Sequence, residues 1–304
     1  MKKDLLSIYN LSKEEIDELF IRAKEIKEKQ RKGIIYQPLL SKTLGMIFEK
    51  PSTRTRVSFE VGMYQLGGHA IYLRWKDTQL GRGESIRDTA LTLSRYLNCV
   101  MIRTFSQETI EEFARYATIP VINGLTDFCH PCQILSDIFT IIENKGTYQK
   151  IKVAYIGDGN NIAHSWIDAA LRLGFDLNLA CPNKHQPDRK VLNRAKQEAI
   201  SKIEVTSDPY QAVKDADVIS TDTWVSMGQE MEYQERIKVF KEYQVNAQLL
   251  NVAKKDVVVM HCLPAHRGEE ITDEVMDGAH SIIFDQAKNR LHLQKAILVT
   301  LMEN

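Results

Sequence analysis

No apolar run in this 304-residue chain approaches the ~20 residues needed to cross a bilayer, and the opening stretch MKKDLLSIYN has no apolar segment of the signal-peptide kind. Cysteine is sparse and odd in number: Cys99, Cys129, Cys132, Cys181 and Cys262 are spread too widely to read as a disulfide framework. Both features lead us to expect a reducing, cytoplasmic setting. There is no charge excess either, since 40 basic residues face 40 acidic ones. Nothing global therefore favours nucleic acid or an anionic membrane, and any preference for anions must be local. Internal repeats and low-complexity tracts are also missing.

With 43% hydrophobic and 26% charged residues, the chain can build sizeable cores, and its length suggests two domains at ~100–200 residues each. Ser12-Lys13-Glu14-Glu15 is a capping-box pattern, and Ile16, Leu19, Phe20, Ala23 and Ile26 follow at helical spacing. Strands are expected at Thr43 to Phe48, Ala70 to Leu73, Cys99 to Arg103 and Pro120 to Asn123, with helices between them. A helix from Pro131 to about Asn144 leads to Lys145-Gly146-Thr147, which reads as a hinge. The alternation then restarts with strands at Lys152 to Ile156, Asp176 to Ala180, Ile203 to Val205, Val218 to Thr221, Val257 to Met260 and Ser281 to Phe284. A last helix is expected over Asn289 to Met302. The pattern predicts an α/β protein of two domains, each a mainly parallel sheet flanked by helices.

The candidate functional residues gather at the C-terminal ends of predicted strands, where open parallel sheets bind ligands. Ser52-Thr53-Arg54-Thr55-Arg56 follows the first strand and opens a helix. Aimed backbone amides, hydroxyls and two guanidinium groups there make a socket for a dianion such as phosphate, although the same pattern suits an ordinary helix cap with solvated arginines. Arg103 closes the third strand, as a second cation for that socket or as a solvated loop residue. His130-Pro131-Cys132-Gln133 places an imidazole just before a helix and an amide in its first turn, groups able to serve a developing negative oxygen. A zinc site built from Cys129, His130, Cys132, His261 and Cys262 matches no standard spacing, and no metal is expected. Gly157-Asp158-Gly159-Asn160-Asn161 hints at a dinucleotide fingerprint, but Ile162 stands where the third glycine belongs, so no cofactor is expected. Its asparagines either hold a polar substrate group or cap the helix. Asp222, at a strand tip, suits a cationic amine or forms an Asx turn. Cys262 in His261-Cys262-Leu263-Pro264 is the cysteine most open to a functional role, against the ordinary reading of inert packing.

Together, Ser52-Thr53-Arg54-Thr55-Arg56, His130-Pro131-Cys132-Gln133, Asp222-Thr223-Trp224-Val225-Ser226-Met227-Gly228 and His261-Cys262-Leu263-Pro264 closely resemble the aspartate/ornithine carbamoyltransferase family, in order and over essentially the whole chain. The Ser226-Met227-Gly228 loop and the His261 to Pro264 motif look like the ornithine branch. The resemblance implies an enzyme that binds carbamoyl phosphate first and L-ornithine second, releases L-citrulline and phosphate, and works in an interdomain cleft as a homotrimer or a multiple of trimers. It implies a carbamoyl-phosphate-binding domain over 1–145, joined by the helix 289–304, and an ornithine-binding domain over 146–288.

Carried over residue by residue, the resemblance gives Ser52, Thr53, Arg54 and Thr55, with Arg103, to the phosphate. His130, Arg103 and Thr55 would polarise the carbonyl, while Gln133, Leu263 and Arg290 would secure the carbamoyl group. Gln79 matches a residue that reaches a neighbouring subunit's phosphate site. Asn161, Asp222, Ser226 and Met227 would bind ornithine, and Cys262 would lie beside the reacting amine. Two rival readings are a carbamoyltransferase for another amine, such as putrescine, and a catalytically silent paralogue serving as a binding subunit. The same site would serve arginine biosynthesis or its reverse.

Overall fold

The structure is a computed structural model that describes residues 4–225, 228 and 230–303. It divides into two compact units, Met1–Ser136 with Lys288–Asn304, and Asp137–Ala287.

In the first unit, β1 (Thr43–Phe48), β2 (His69–Arg74), β3 (Cys99–Arg103) and β4 (Val121–Leu125) form an all-parallel sheet in the order β2-β1-β3-β4. The helices are α1 (Lys13–Arg31), α2 (Thr53–Gln65), α3 (Ile86–Leu93), α4 (Gln107–Tyr116) and the start of α5 (Pro131–Lys145). Hydroxyls set where several of them begin: the capping box of Ser12 and Glu15 starts α1, while Ser52, Ser85 and Ser106 each accept a first-turn amide of α2, α3 and α4. β1 and β3 are buried almost throughout, as expected of strands covered on both faces.

The second unit holds β5 (Lys152–Ile156), β6 (Asp176–Ala180), β7 (Ile203–Thr206), β8 (Val218–Thr221) and β9 (Val258–His261), again all parallel, in the order β7-β6-β5-β8-β9. Its helices are the rest of α5, then α6 (Asn161–Leu173), α7 (Arg189–Glu198), α8 (Pro209–Val213), α9 (Tyr233–Phe240), α10 (Ala247–Leu250) and α11 (Asp273–Met276). Trp224, Phe240, Tyr243 and the buried faces of β8 and β9 share one core.

The final helix, α12 (Ile283–Met302), opens in the second unit and closes in the first. Within the first unit its polar residues meet α1 and α2: Lys27 Nζ donates to Asn289 Oδ1 at 2.9 Å, and Lys295 Nζ donates to Gln30 and Gln65 at 2.5 and 2.9 Å. No helix of the described residues is long and apolar enough to cross a membrane.

The strand expected at Ser281 to Phe284 does not form. Ser281 makes a single bridge to Val259, and the chain turns at once into α12, which begins at Ile283, earlier than the expected Asn289. A β-branched pair, Ile282-Ile283, suggests a strand locally, yet Ile283 is the buried first residue of a helix with Asp285 in its first turn.

In both sheets the chain order reverses beside the central strand, between β1 and β3 and between β5 and β8. A crevice opens at the carboxyl ends of strands at such switch points. Phe48 pairs with Arg103 at the first, and Ile156 with Thr221 at the second, so the segments following β1 and β3, and those following β5 and β8, are brought side by side.

The turn after β5 shows what its glycines do. Gly159 N donates to His185 O at 2.8 Å, and a Cβ on Gly159 would lie 2.2 Å from Pro187 N. The backbone of 185–187 packs directly against Gly159. Gly159→Ala is expected to destabilise the chain by at least ~1–3 kcal/mol through overpacking against rigid backbone. Urea unfolding checks this, and an unchanged midpoint would show that the loop yields freely.

Candidate active site

In the first unit the residues after β1 and β3 build a buried, cation-rich socket. Ser52 caps α2, its Oγ accepting from Thr55 N at 3.2 Å and lying 3.1 Å from Thr55 Oγ1. Thr53 and Arg54 occupy the first turn, where backbone amides point out of the helix. Arg290 reaches in from α12: Nη2 donates to Thr55 Oγ1 at 3.4 Å and Nη1 donates to Gln133 Oε1. With its amide turned to suit its neighbours, Gln294 accepts from Arg290 Nε and Nη2 at 3.2 and 3.0 Å and donates to Ser58 Oγ at 2.5 Å.

His130 lies at the head of α5, its carbonyl accepting from Gln133 N at 3.1 Å. His130, Arg103, Gln133 and Arg290 are all at most 6% exposed. Burial first, then the charges of Arg290 and Arg103, hold the His130 imidazole well below its ordinary pKa. A neutral imidazole can donate one hydrogen bond without adding a charge. Nearby, Lys50 is buried, paired with Asp127 and 4.4 Å over the Phe105 ring.

Both helix-mouth arginines are expected at the socket, but Arg56 has other partners. Arg56 bonds Glu60 at 2.9 Å and stacks 3.9 Å over Tyr72. Arg54 is half-buried and makes no ion pair among the described residues. Gln79 heads an exposed loop, its carbonyl accepting from Arg82 and Glu84.

In the second unit, Asp222 leaves the tip of β8. Its Oδ1 accepts from Cys262 Sγ at 2.8 Å and from its neighbour Thr223 N at 2.7 Å, while Oδ2 accepts from Asn160 Nδ2 at 3.0 Å. Asn160 also caps α6, Oδ1 accepting from Ile162 N and Ala163 N, so one side chain fixes the helix start and the carboxylate together. Asn161 is the half-buried first residue of α6. Ser226 and Met227 lie outside the described residues.

Cys262 and Leu263 follow β9. His261 turns into the protein, where Leu263 N donates to Nδ1 at 2.9 Å and Nε2 lies 2.9 Å from Glu270 Oε1. Because Nδ1 accepts, Nε2 carries the proton and donates to Glu270. Leu263 holds a left-handed φ of 59°, a conformation unusual for a branched side chain. Asp222, His261 and Cys262 offer ligand atoms within 4.8 Å of one another, yet both ring nitrogens of His261 are already engaged.

Sequence reasoning missed the supports of this half-site: Asn160 on Asp222, Glu270 on His261, and Arg236 under the loop after β8. Arg236 Nε donates to Trp224 O at 2.5 Å and Nη2 donates to buried Asp158. Burial pushes the Asp158 carboxyl up, while Arg236 and His185 pull it down. A capping asparagine is legible locally; the partners of Glu270 and Arg236 are set by the fold.

Two parallel sheets, each with polar and charged side chains assembled at its switch point, define an α/β protein with a cation-rich cluster on one unit and a carboxylate beside a thiol on the other. The sequence profile of the aspartate/ornithine carbamoyltransferase carbamoyl-P binding domain matches residues 3–143, and that of the family's Asp/Orn binding domain matches residues 149–301. The chain belongs to the aspartate/ornithine carbamoyltransferase family. It is 61% identical over 302 residues to the ornithine carbamoyltransferase of Syntrophus aciditrophicus, covering 99% of this chain and 100% of that one. To the same enzyme of Geobacter sulfurreducens it is 54% identical, with both chains covered in full. The structure of ornithine carbamoyltransferase from Pyrococcus furiosus superposes with a TM-score of 0.95 at 54% identity, covering 98% of this chain and 96% of that one.

A histidine held neutral in the native chain makes the unfolded state bind more protons below its ordinary pKa. The contribution to stability is full above about pH 6.5 and is lost as pH falls toward the lowered native value. NMR titration is expected to show the His130 imidazole neutral well below pH 6.5. A midpoint at or above that value would contradict the cationic environment.

Proposed function

We propose that this chain is an ornithine carbamoyltransferase, converting carbamoyl phosphate and L-ornithine to L-citrulline and phosphate. The observation that carries the reading is the pairing of buried Arg290, Gln133 and Thr55, beside half-buried Ser52, with a neutral His130. The names of full-length relatives at 52–61% identity give further support.

In this reading the first unit, with the end of α12, is the carbamoyl-phosphate-binding domain, and the second is the ornithine-binding domain. The amides at the start of α2, with Ser52, Thr53, Arg54, Thr55 and Arg103, bind the phosphate. His130, Arg103 and Thr55 donate to the carbonyl oxygen, where negative charge grows in the transition state. Gln133, Arg290 and the backbone of Leu263 hold the carbamoyl group. Asn161, Asp222, Ser226 and Met227 receive ornithine.

The amine nitrogen attacks the carbamoyl carbon, a tetrahedral oxyanion forms, and the bond to the phosphate oxygen breaks as phosphate departs. The amine must lose a proton on the way, and an alkyl ammonium has a pKa of roughly 10.4. Asp222 and Cys262, bonded to each other, orient the amine and help to take that proton. The cations of the socket balance the leaving group.

Gln79, exposed on its loop, completes the phosphate site of a neighbouring subunit in a homotrimer or a multiple of trimers. The cytoplasm is the proposed compartment, in keeping with five cysteines that are all free, and the proposed context is arginine metabolism.

A colorimetric assay offering ornithine, putrescine and aspartate as competing acceptors tests the reading. Ureido product is expected from ornithine alone, and is expected to fall at least ~30-fold in Arg54→Gly and in Gln79→Ala. Mixed trimers of those two variants are expected to regain activity. Carbamoylation of putrescine or aspartate in preference to ornithine would refute the assignment, and failure of the mixed trimers would refute the shared site.

A further inference from the structure

The turn that follows the Cys262 loop carries a cluster that the transfer chemistry leaves unused. His266, Glu269 and Glu270 offer ligand atoms within 4.8 Å of one another. Nδ1 of half-exposed His266 lies 3.6 Å from Glu269 Oε2 and 3.9 Å from Glu270 Oε2. Both of those carboxylate oxygens are buried and have no hydrogen-bond partner among the described residues. The Glu270 side chain is 0% exposed.

The opposite oxygen of each carboxylate is fully occupied. Glu269 Oε1 accepts from the Tyr233 hydroxyl, and Glu270 Oε1 accepts from His261 Nε2 at 2.9 Å and from His266 N at 2.6 Å. The backbone is pinned as well: Gln244 Nε2 donates to Gly268 O and Glu269 O, both at 2.9 Å, and Val245 N donates to Glu270 O at 2.9 Å. The carboxylates are thus locked by one oxygen each while the other is aimed at a common point beneath His266. Bare carboxylate oxygens side by side in a buried place are unfavourable unless a cation lies between them.

We propose that His266 Nδ1, Glu269 Oε2 and Glu270 Oε2 bind a divalent cation of the zinc class, with its remaining positions open to water. One imidazole nitrogen and two carboxylate oxygens form a borderline donor set of the kind such ions take. The group of Asp222, His261 and Cys262 is a poorer candidate, because a metal there would break a hydrogen bond of His261. The new site breaks none, since none of the three ligand atoms makes a hydrogen bond among the described residues. Through Glu270 and His261 the bound ion would tie residues 266–270 to the Leu263 amide, so it stiffens the Cys262 loop from outside the transfer site.

The test uses the full chain carrying Cys262→Ser, which removes the thiol of the rival cluster. Zinc alone is titrated into the metal-free protein by isothermal calorimetry. One ion per chain is expected, with affinity lowered at least ~10-fold by adding either His266→Ala or Glu269→Gln. Because the His266 ring makes no hydrogen bond among the described residues, His266→Ala keeps the fold. Circular dichroism of the metal-free variants verifies this. Zinc is also expected to raise the unfolding temperature of the Cys262→Ser chain and not that of Cys262→Ser with His266→Ala. No zinc uptake, or uptake that both added substitutions leave unchanged, overturns the proposal.

Discussion

A guanidinium from the last helix, Arg290, is buried beside Thr55 and Gln133, and the anion socket of the first unit depends on it. Burying such a charge is unfavourable unless its donors are satisfied and a countercharge is near. Gln133, Thr55 and Gln294 each accept from it. Arg103 is buried as well, and burial first, then the two cations, hold the His130 imidazole well below its ordinary pKa. The resulting cluster is rich in cations, with the His130 imidazole held neutral among them. In the proposed reaction, phosphate binding and stabilisation of the developing oxyanion would draw on the same groups.

The second unit handles charge in the opposite sense. Its central group is a carboxylate, Asp222, held by Asn160, Thr223 and Cys262. Cys262 is in turn placed by the loop that His261 and Glu270 anchor. Here too the supports lie one strand away, because the switch point between β5 and β8 sets the end of one strand against the next. Each unit's cluster follows from the same topological fact: a parallel sheet delivers several loop ends to one edge, and the reversal of strand order leaves room between them.

Much of this was legible in the sequence, and the misses have definite causes. The edges of β1, β3, β5, β6 and β8 follow directly from short apolar runs between polar ends, since strands buried on both faces carry little other pattern. Ile282-Ile283 misled because β-branching describes a local preference, whereas α12 is set by what it packs against. Arg56 looked like a second cation for the socket, but helical spacing puts Glu60 one turn away and captures it. Ser52 as a cap and Gln133 in the first turn of α5 were readable from position alone. The contacts of Arg290 with Thr55, of Arg236 with Trp224 and of Glu270 with His261 were not, because only the fold brings those residues together.

The central claim is that buried cations in the first unit await a phosphate-bearing substrate. Calorimetric titration of carbamoyl phosphate in the absence of the amine, comparing the wild-type chain with Arg290→Gln, tests it most directly. The account predicts binding by the wild-type chain and an affinity at least ~30-fold weaker in the folded variant, the scale expected when a buried charge contact is truncated. Equal affinity in the two proteins would contradict it.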